Sequence, residues 1–266
     1  MKYFSSFGVV TTGALLLAGL VYGCGPDSSD PESGDTGGTT GTGGADQSGG
    51  NGGATTGGGG SGSECPAVDG PLLTDFSEMT VGDSWTAGDD ARTFGESGVT
   101  GVSGGTFHYQ GQDASALTST VTADGALELT ATIAANDYAG FGLWFPNLTA
   151  ACSDASQYTG ISFDLTGEVG NVEIQVQLQH KANYPIEGDK GACPFTSDEE
   201  KWNECTNNAV TLEGQSGTIE LPFTDFTGGM PEDTLNPAEL VGLQWQFNCG
   251  DAECTPDLIL DNITFY

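Results

Sequence analysis

Apolar and polar positions alternate with a period of two through much of the chain beyond residue 65. The cleanest run is 172–179, where Val172, Ile174, Val176 and Leu178 alternate with Glu173, Gln175, Gln177 and Gln179. Residues 126–133 and 161–165 alternate in the same way, and 141–145, 218–223 and 242–248 read as further strands. The closing run, 257–266, follows Cys254-Thr255-Pro256 and is apolar at Leu258, Ile259, Leu260, Ile263 and Phe265, with Asp261 and Asn262 interrupting it. A charge in such a strand is costly unless something meets it. Backbone amides at a strand cap would do so, and so would a cation shared with the start of the domain. No stretch keeps a helical period over three turns. Strands separated by Gly, Asn and Asp clusters predict an all-β fold, a β-sandwich of the jelly-roll kind with one face of each sheet turned inward.

The remaining sequence divides into two parts. Residues 1–23 carry Lys2 and an apolar run with Leu15, Leu16 and Leu17 at its centre, too short for a comfortable membrane span and ending in small residues, as a secretory signal does. Val21-Tyr22-Gly23-Cys24 resembles a bacterial lipobox, which would place a lipid on Cys24; Tyr22 departs from the small residue usual at its position. Residues 24–64 then read as a tether. Sixteen of the 40 residues from 25 to 64 are Gly, and the rest include no large apolar side chain. Such a segment buries too little to order itself. Its typical end-to-end distance would be about 35 Å and its full reach about 130 Å. The folded domain is then 65–266, exported and lipid-anchored at the cell envelope or surface, with the lipid as its sole membrane contact.

Charge narrows the partners. Asp and Glu number 37 against 5 Lys and Arg, a net charge of −32. A surface this acidic repels nucleic acid, which is held by Lys and Arg, and favours solubility in salt and affinity for divalent cations. The seven cysteines agree with an exported chain. If Cys24 carries lipid, six remain for disulfides. Sequence does not determine their connectivity; pairing nearest neighbours would join Cys193 with Cys205 and Cys249 with Cys254, leaving Cys65 with Cys152. Zinc is disfavoured, since CxxC spacing is absent and His108 and His180 are the only histidines.

Four segments together resemble the galactose-binding-like jelly-roll carbohydrate-binding modules, above all family 11 and the related complex I intermediate-associated domains. They are Thr74-Asp75-Phe76; Tyr138-Ala139-Gly140-Phe141-Gly142 followed by Asp154-Ala155-Ser156-Gln157-Tyr158-Thr159-Gly160-Ile161-Ser162-Phe163; Glu220-Leu221-Pro222-Phe223-Thr224-Asp225-Phe226; and Leu258-Ile259-Leu260-Asp261-Asn262-Ile263. Their order and spacing hold over about 190 residues. Two departures stand out: Thr106 where members of the group commonly carry Trp, and a Cys-bearing insertion at 183–208. The resemblance implies a structural Ca²⁺ between first and last strands, with Asp75 and Asp261 as ligands. It also implies a module that binds a polysaccharide or other glycan without catalysis; the domain is expected to be monomeric.

A glycan face needs rings for pyranose C–H surfaces and amides or carboxylates for hydroxyls. Alternation turns Trp144 away from Phe141, Leu143 and Phe145, and turns Ser162 and Asp164 outward. It also places Gln175, Gln177, Gln179, Gln244, Gln246 and Asn248 on outward faces. These residues form the expected site, with Trp245 in the core and Trp85 and Trp202 unplaced. The same face would equally serve a surface adhesion or assembly protein making protein contacts. A glycan-active hydrolase is the third class, but the chain lacks the E-x-D-x-x-E pair and a P-loop.

Overall fold

The structure, a computed structural model, describes residues 65–94, 104–112, 114–145, 152–185, 191–194, 204–212 and 214–266. The signal segment, Cys24, the tether and Trp202 lie outside the described residues. Among the described residues thirteen strands, numbered in chain order, form two antiparallel sheets. The first runs β11 (Gly217–Pro222), β8 (Gly160–Glu168), β13 (Asp257–Phe265), β6 (Leu127–Thr132), β5 (Ala116–Val121), β2 (Ser84–Thr86), with β1 (Leu72–Thr74) also on β13. The second runs β10 (Asn208–Leu212), β9 (Glu173–His180), β12 (Leu240–Asn248), β7 (Tyr138–Trp144), β4 (Gly104–Gln110), β3 (Thr93–Phe94). From β7 to β13 the chain crosses repeatedly between sheets, so neighbours in sequence are seldom neighbours in a sheet. The result is a β-sandwich jelly roll.

The inward sets interlock as the period of two requires. Leu127, Leu129, Ile161, Phe163, Leu165, Leu258 and Leu260 come from one sheet; Phe141, Leu143, Ile174, Val176, Leu178, Leu243 and Phe247 come from the other, and all are buried. Trp245 joins the layers, lying edge-on to Phe163 at 5.4 Å and near-parallel to Phe141 at 6.2 Å. Trp85 is also core. It meets His108 edge-on at 6.0 Å and lies beneath the Arg92 guanidinium, which is paired with Asp83 at 2.6 Å. His108 faces inward and shares a 2.8 Å hydrogen bond with Ser119. Burial lowers its pKa to about 4, because the charged ring would lose its water there.

The closing strand β13 serves two partners along one edge. Asp257 to Leu260 pair with β6, and Ile263 and Thr264 pair with β1. Its other edge pairs with β8, and the register shifts between Asp261 and Thr264. Asn262 has φ +50°, so the interruption seen in the sequence is a bulge at the change of partner. The opening segment differs from expectation: β1 stops at Thr74, and Asp75 stands in a turn before Phe76, which is fully buried at φ +57°. The strands β4 and β5 carry no simple hydrophobic alternation. β4 has rings at Phe107, His108 and Tyr109 on both faces, and β5 turns Ser119 inward between Leu117 and Val121.

The disulfides are Cys65–Cys152, Cys193–Cys205 and Cys249–Cys254. Bridges of this kind belong to an oxidising, extracytoplasmic setting. Among the described residues no helix is long and apolar enough to cross a membrane.

Candidate functional site

The outward face of the second sheet gathers the glutamines. β9 and β12 are adjacent, with Gln177 opposite Gln244 and Gln175 opposite Gln246. Their side chains form a chain of amide hydrogen bonds. Gln179 Nε2 donates to Gln244 Oε1 at 2.7 Å, Gln244 Nε2 to Gln177 Oε1 at 2.7 Å, and Gln177 Nε2 to Gln246 Oε1 at 3.3 Å. Gln246 Nε2 then donates to Asn248 Oδ1 at 2.8 Å, and Asn207 Nδ2 donates to Gln177 Oε1 at 3.1 Å. Although they face away from the core, Gln177, Gln179 and Gln244 are only 9%, 3% and 7% exposed. A primary amide carries two N–H groups and two acceptor lone pairs. Gln177 and Gln246 therefore each keep an N–H beyond the ladder.

Rings flank the amides. β7 pairs with β12 on one side and β4 on the other, which sets Gly140 opposite Tyr109 and Gly142 opposite Phe107. The glycines let those rings lie on the sheet. A Cβ at Gly140 would sit 2.1 Å from the Tyr109 ring, and one at Gly142 would sit 2.2 Å from the Phe107 ring. Trp144 stacks on Phe107 at 4.3 Å and meets Tyr184 edge-on at 5.2 Å, beside the Cys65–Cys152 bridge. Tyr138 is half-buried, 6.2 Å from Tyr109. The Tyr109 hydroxyl donates to Gln246 Oε1 at 3.4 Å. Burial raises the pKa of Tyr109 and Tyr138, so both hydroxyls stay protonated at neutral pH; Asp137 adds to the effect at Tyr138.

An open groove of about 750 Å³ runs over this surface. Tyr138, Gln175, Gln177, Gln244 and Gln246 make its floor, and Cys205, Thr206, Asn207, Ala209, Thr227 and Gly228 line it from the insertion and the 227–230 turn. No charged side chain lines it among the described residues.

The structure separates the expected site into two groups. Gln175, Gln177, Gln179, Gln244, Gln246 and Asn248 share the groove face or its margin, with Trp144 at the flank. Ser162 and Asp164 do not join them. Their strand, β8, belongs to the first sheet, so they lie on the opposite outer surface of the sandwich. Their outward direction was readable from alternation, but the sheet to which that direction referred was not. There Asp164 accepts hydrogen bonds from Thr218 Oγ1 at 2.6 Å and Asn262 Nδ2 at 2.8 Å, which lower its pKa. Tyr138, Tyr109, Phe107 and Asn207 were missed as site residues. The alternation of Tyr138 and Trp144 about buried Phe141 and Leu143 contained the signal for the first of them.

Asp75 and Asp261 lie close enough for the Asp75 charge to raise the Asp261 pKa, after burial as the larger cause. Asp75 accepts from Ser77 Oγ at 2.6 Å and Ser77 N at 3.1 Å, and its pKa is lowered accordingly. Asp261 Oδ1 accepts from Asn262 N at 2.8 Å. Among the described residues no three His, Cys, Asp or Glu side chains group as metal ligands. Calcium takes six to eight oxygens, so this pair alone would leave most of the shell to main-chain oxygens and water.

No protein-family model matches the chain, and no curated protein matches it. Among solved structures it is similar to the family 11 carbohydrate-binding module of a cellulosomal cellulase of Clostridium thermocellum, at 19% identity over 75% of this chain and 95% of that one, TM-score 0.40. A family 11 module from Clostridium thermocellum in complex with a β-1,3-1,4-mixed-linked tetrasaccharide is similar at 18% identity, over 74% and 95%, TM-score 0.40. A family 30 carbohydrate-binding module is similar at 15% identity, over 73% and 85%, TM-score 0.37. Family 11 is the group that the sequence resembles.

Proposed function

We propose that this protein is a non-catalytic glycan-binding module, held at the cell surface by lipid on Cys24 and the Gly-rich tether. The observation that carries the reading is the amide ladder along a groove with no charged lining among the described residues, with the Tyr138 ring in its floor. Sugar hydroxyls are weak, neutral donors and acceptors. Aligned amides can both donate to and accept from such hydroxyls, and the tyrosine ring supplies a surface for C–H stacking. Affinity gel electrophoresis of the purified 65–266 segment against a panel of polysaccharides tests the reading. Retardation by at least one glycan, lost in the Tyr138→Ala, Gln175→Ala double variant, is the expected result. Wild-type protein that migrates freely through every gel would overturn it. Trp144 is a poor reporter, because its ring is engaged by Phe107 and Tyr184.

The lipid anchor is checked by palmitate labelling, which Cys24→Ala abolishes. The Asp75–Asp261 pair is proposed as a structural calcium site. Its check is a fall in Tm on adding EDTA; an unchanged Tm removes the metal.

A further inference from the structure

We infer that the Cys193–Cys205 disulfide is a positioning element of the groove, holding the wall that presents Asn207 to the amide ladder; this rests on the glycan-binding reading of that groove. The three bridges sit in different surroundings. Cys249 and Cys254 belong to the main core, and Cys65 and Cys152 pack with Val241 in a smaller apolar cluster. Cys193 and Cys205 belong to neither cluster, and Cys205 lines the groove.

The connections at each end make the bridge a strut. Cys193 is fixed to the segment that follows β9: its N–H donates to Tyr184 O at 3.0 Å, and Ala192 N donates to Lys181 O at 2.7 Å. Cys205 begins the segment that leads into β10, and the two Cα atoms are 6.0 Å apart. Immediately after Cys205, Thr206 exchanges backbone hydrogen bonds with Met230 at 3.0 Å in each direction, and Ala209 pairs with Thr227. Asn207, between these two anchors, reaches Gln177 Oε1. Thr206, Asn207, Thr227 and Gly228 thus stand as one wall across from the glutamine floor. Short strand pairs on a sheet edge are marginal by themselves. The covalent tie between the segment that packs back on the end of β9 and the segment that leads into β10 holds this one at a fixed distance from the ladder, and a site held in place loses less on binding.

The test compares the Cys193→Ser, Cys205→Ser double variant with Asn207→Ala and wild type, measuring Tm, amide hydrogen exchange and affinity for whichever polysaccharide retards the wild type. The expected result is roughly tenfold weaker binding in both variants, the loss of about one well-placed hydrogen bond. Exchange should accelerate at residues 205–209 and 227–230 in the double variant alone, with β7 and β12 still protected. Asn207→Ala separates the contact from the staple and leaves the bridge intact. Unchanged exchange at 205–209 together with wild-type affinity in the double variant overturns the inference. If the double variant fails to fold, wild-type affinity in Asn207→Ala overturns it instead. Wild-type protein that binds no glycan refutes the glycan reading, while faster exchange in the double variant would still support the strut.

Discussion

Both outward faces of this sandwich are polar, but they satisfy their polar groups in opposite ways. On the first sheet Thr166 and Glu168 are exposed and Asp164 and Asp261 half-buried, open to water beside the hydrogen bonds that Thr218 and Asn262 give them. On the second sheet Gln177, Gln179 and Gln244 are nearly as buried as the core, and they serve one another. The difference arises from what stands beside each face. The 205–209 and 227–230 segments rise along the second sheet and turn it into a groove. Polar side chains buried on an outward face mark the place where a fold has built walls, and a network there is costly to interrupt.

The largest test of that contrast is Gln177→Ala. It removes an acceptor for Gln244 and Asn207 and a donor to Gln246. Unfolding free energy in urea should fall by about 1–3 kcal/mol, the usual cost of stranding buried polar partners. Thr166→Ala, at an exposed position on the other face, should change it by less than about 0.5 kcal/mol. Equal losses would erase the distinction between the faces. Next in size is Gly142→Ala, whose added methyl collides with the Phe107 ring. We expect about 1–2 kcal/mol of destabilisation, as for an overpacked site, read as a lower Tm.

Acid should distinguish the sheets as well. His108, beneath the second sheet, has its pKa depressed to about 4, so its neutral form is favoured by folding. Stability is full above about pH 6.5, its unfolded value, and falls as pH drops toward 4. In a His108→Gln variant that limb should flatten. Asp164 on the first sheet is also depressed, but from an ordinary carboxylate value. Its contribution is present above about pH 4 and is lost only below that, as pH falls through the folded value. Glycan affinity, resting on amides and protonated tyrosines, should stay flat from about pH 7 to 9. The smallest effect is at Asp261. Its raised pKa means that its charge costs stability above the folded value, a cost relieved as pH falls. Asp261→Asn keeps the acceptor for Asn262 N and removes the charge, so Tm in EDTA should rise by a degree or two on the order expected for a few tenths of a kcal/mol. The same change should abolish any rise in Tm caused by calcium.

Much of this was legible in the sequence. The alternation at Ile174, Val176 and Leu178 directed Gln175, Gln177 and Gln179 outward, and the same rule directed Gln244 and Gln246 outward on β12. Asp261 and Asn262 marked the bulge in β13 by interrupting its apolar run. These are local consequences of a backbone whose side chains alternate every residue, so a single strand's sequence determines its faces. It does not determine the sheet that the strand joins. Ser162 and Asp164 obeyed the same alternation as the glutamines and ended on the far surface, because β8 pairs with β11 and β13 rather than with β9. The aromatic flank was hidden for the same reason: Phe107 and Tyr109 become site neighbours only because β4 lies along β7, over two glycines. Pairing of β9 with β12, and of 206–209 with 227–230, also brought Asn207 to Gln177 and closed the groove. The sequence by itself determined which side chains face outward, since that depends on each strand alone. Only the tertiary structure decided which outward faces meet, since that depends on packing both sheets around one core.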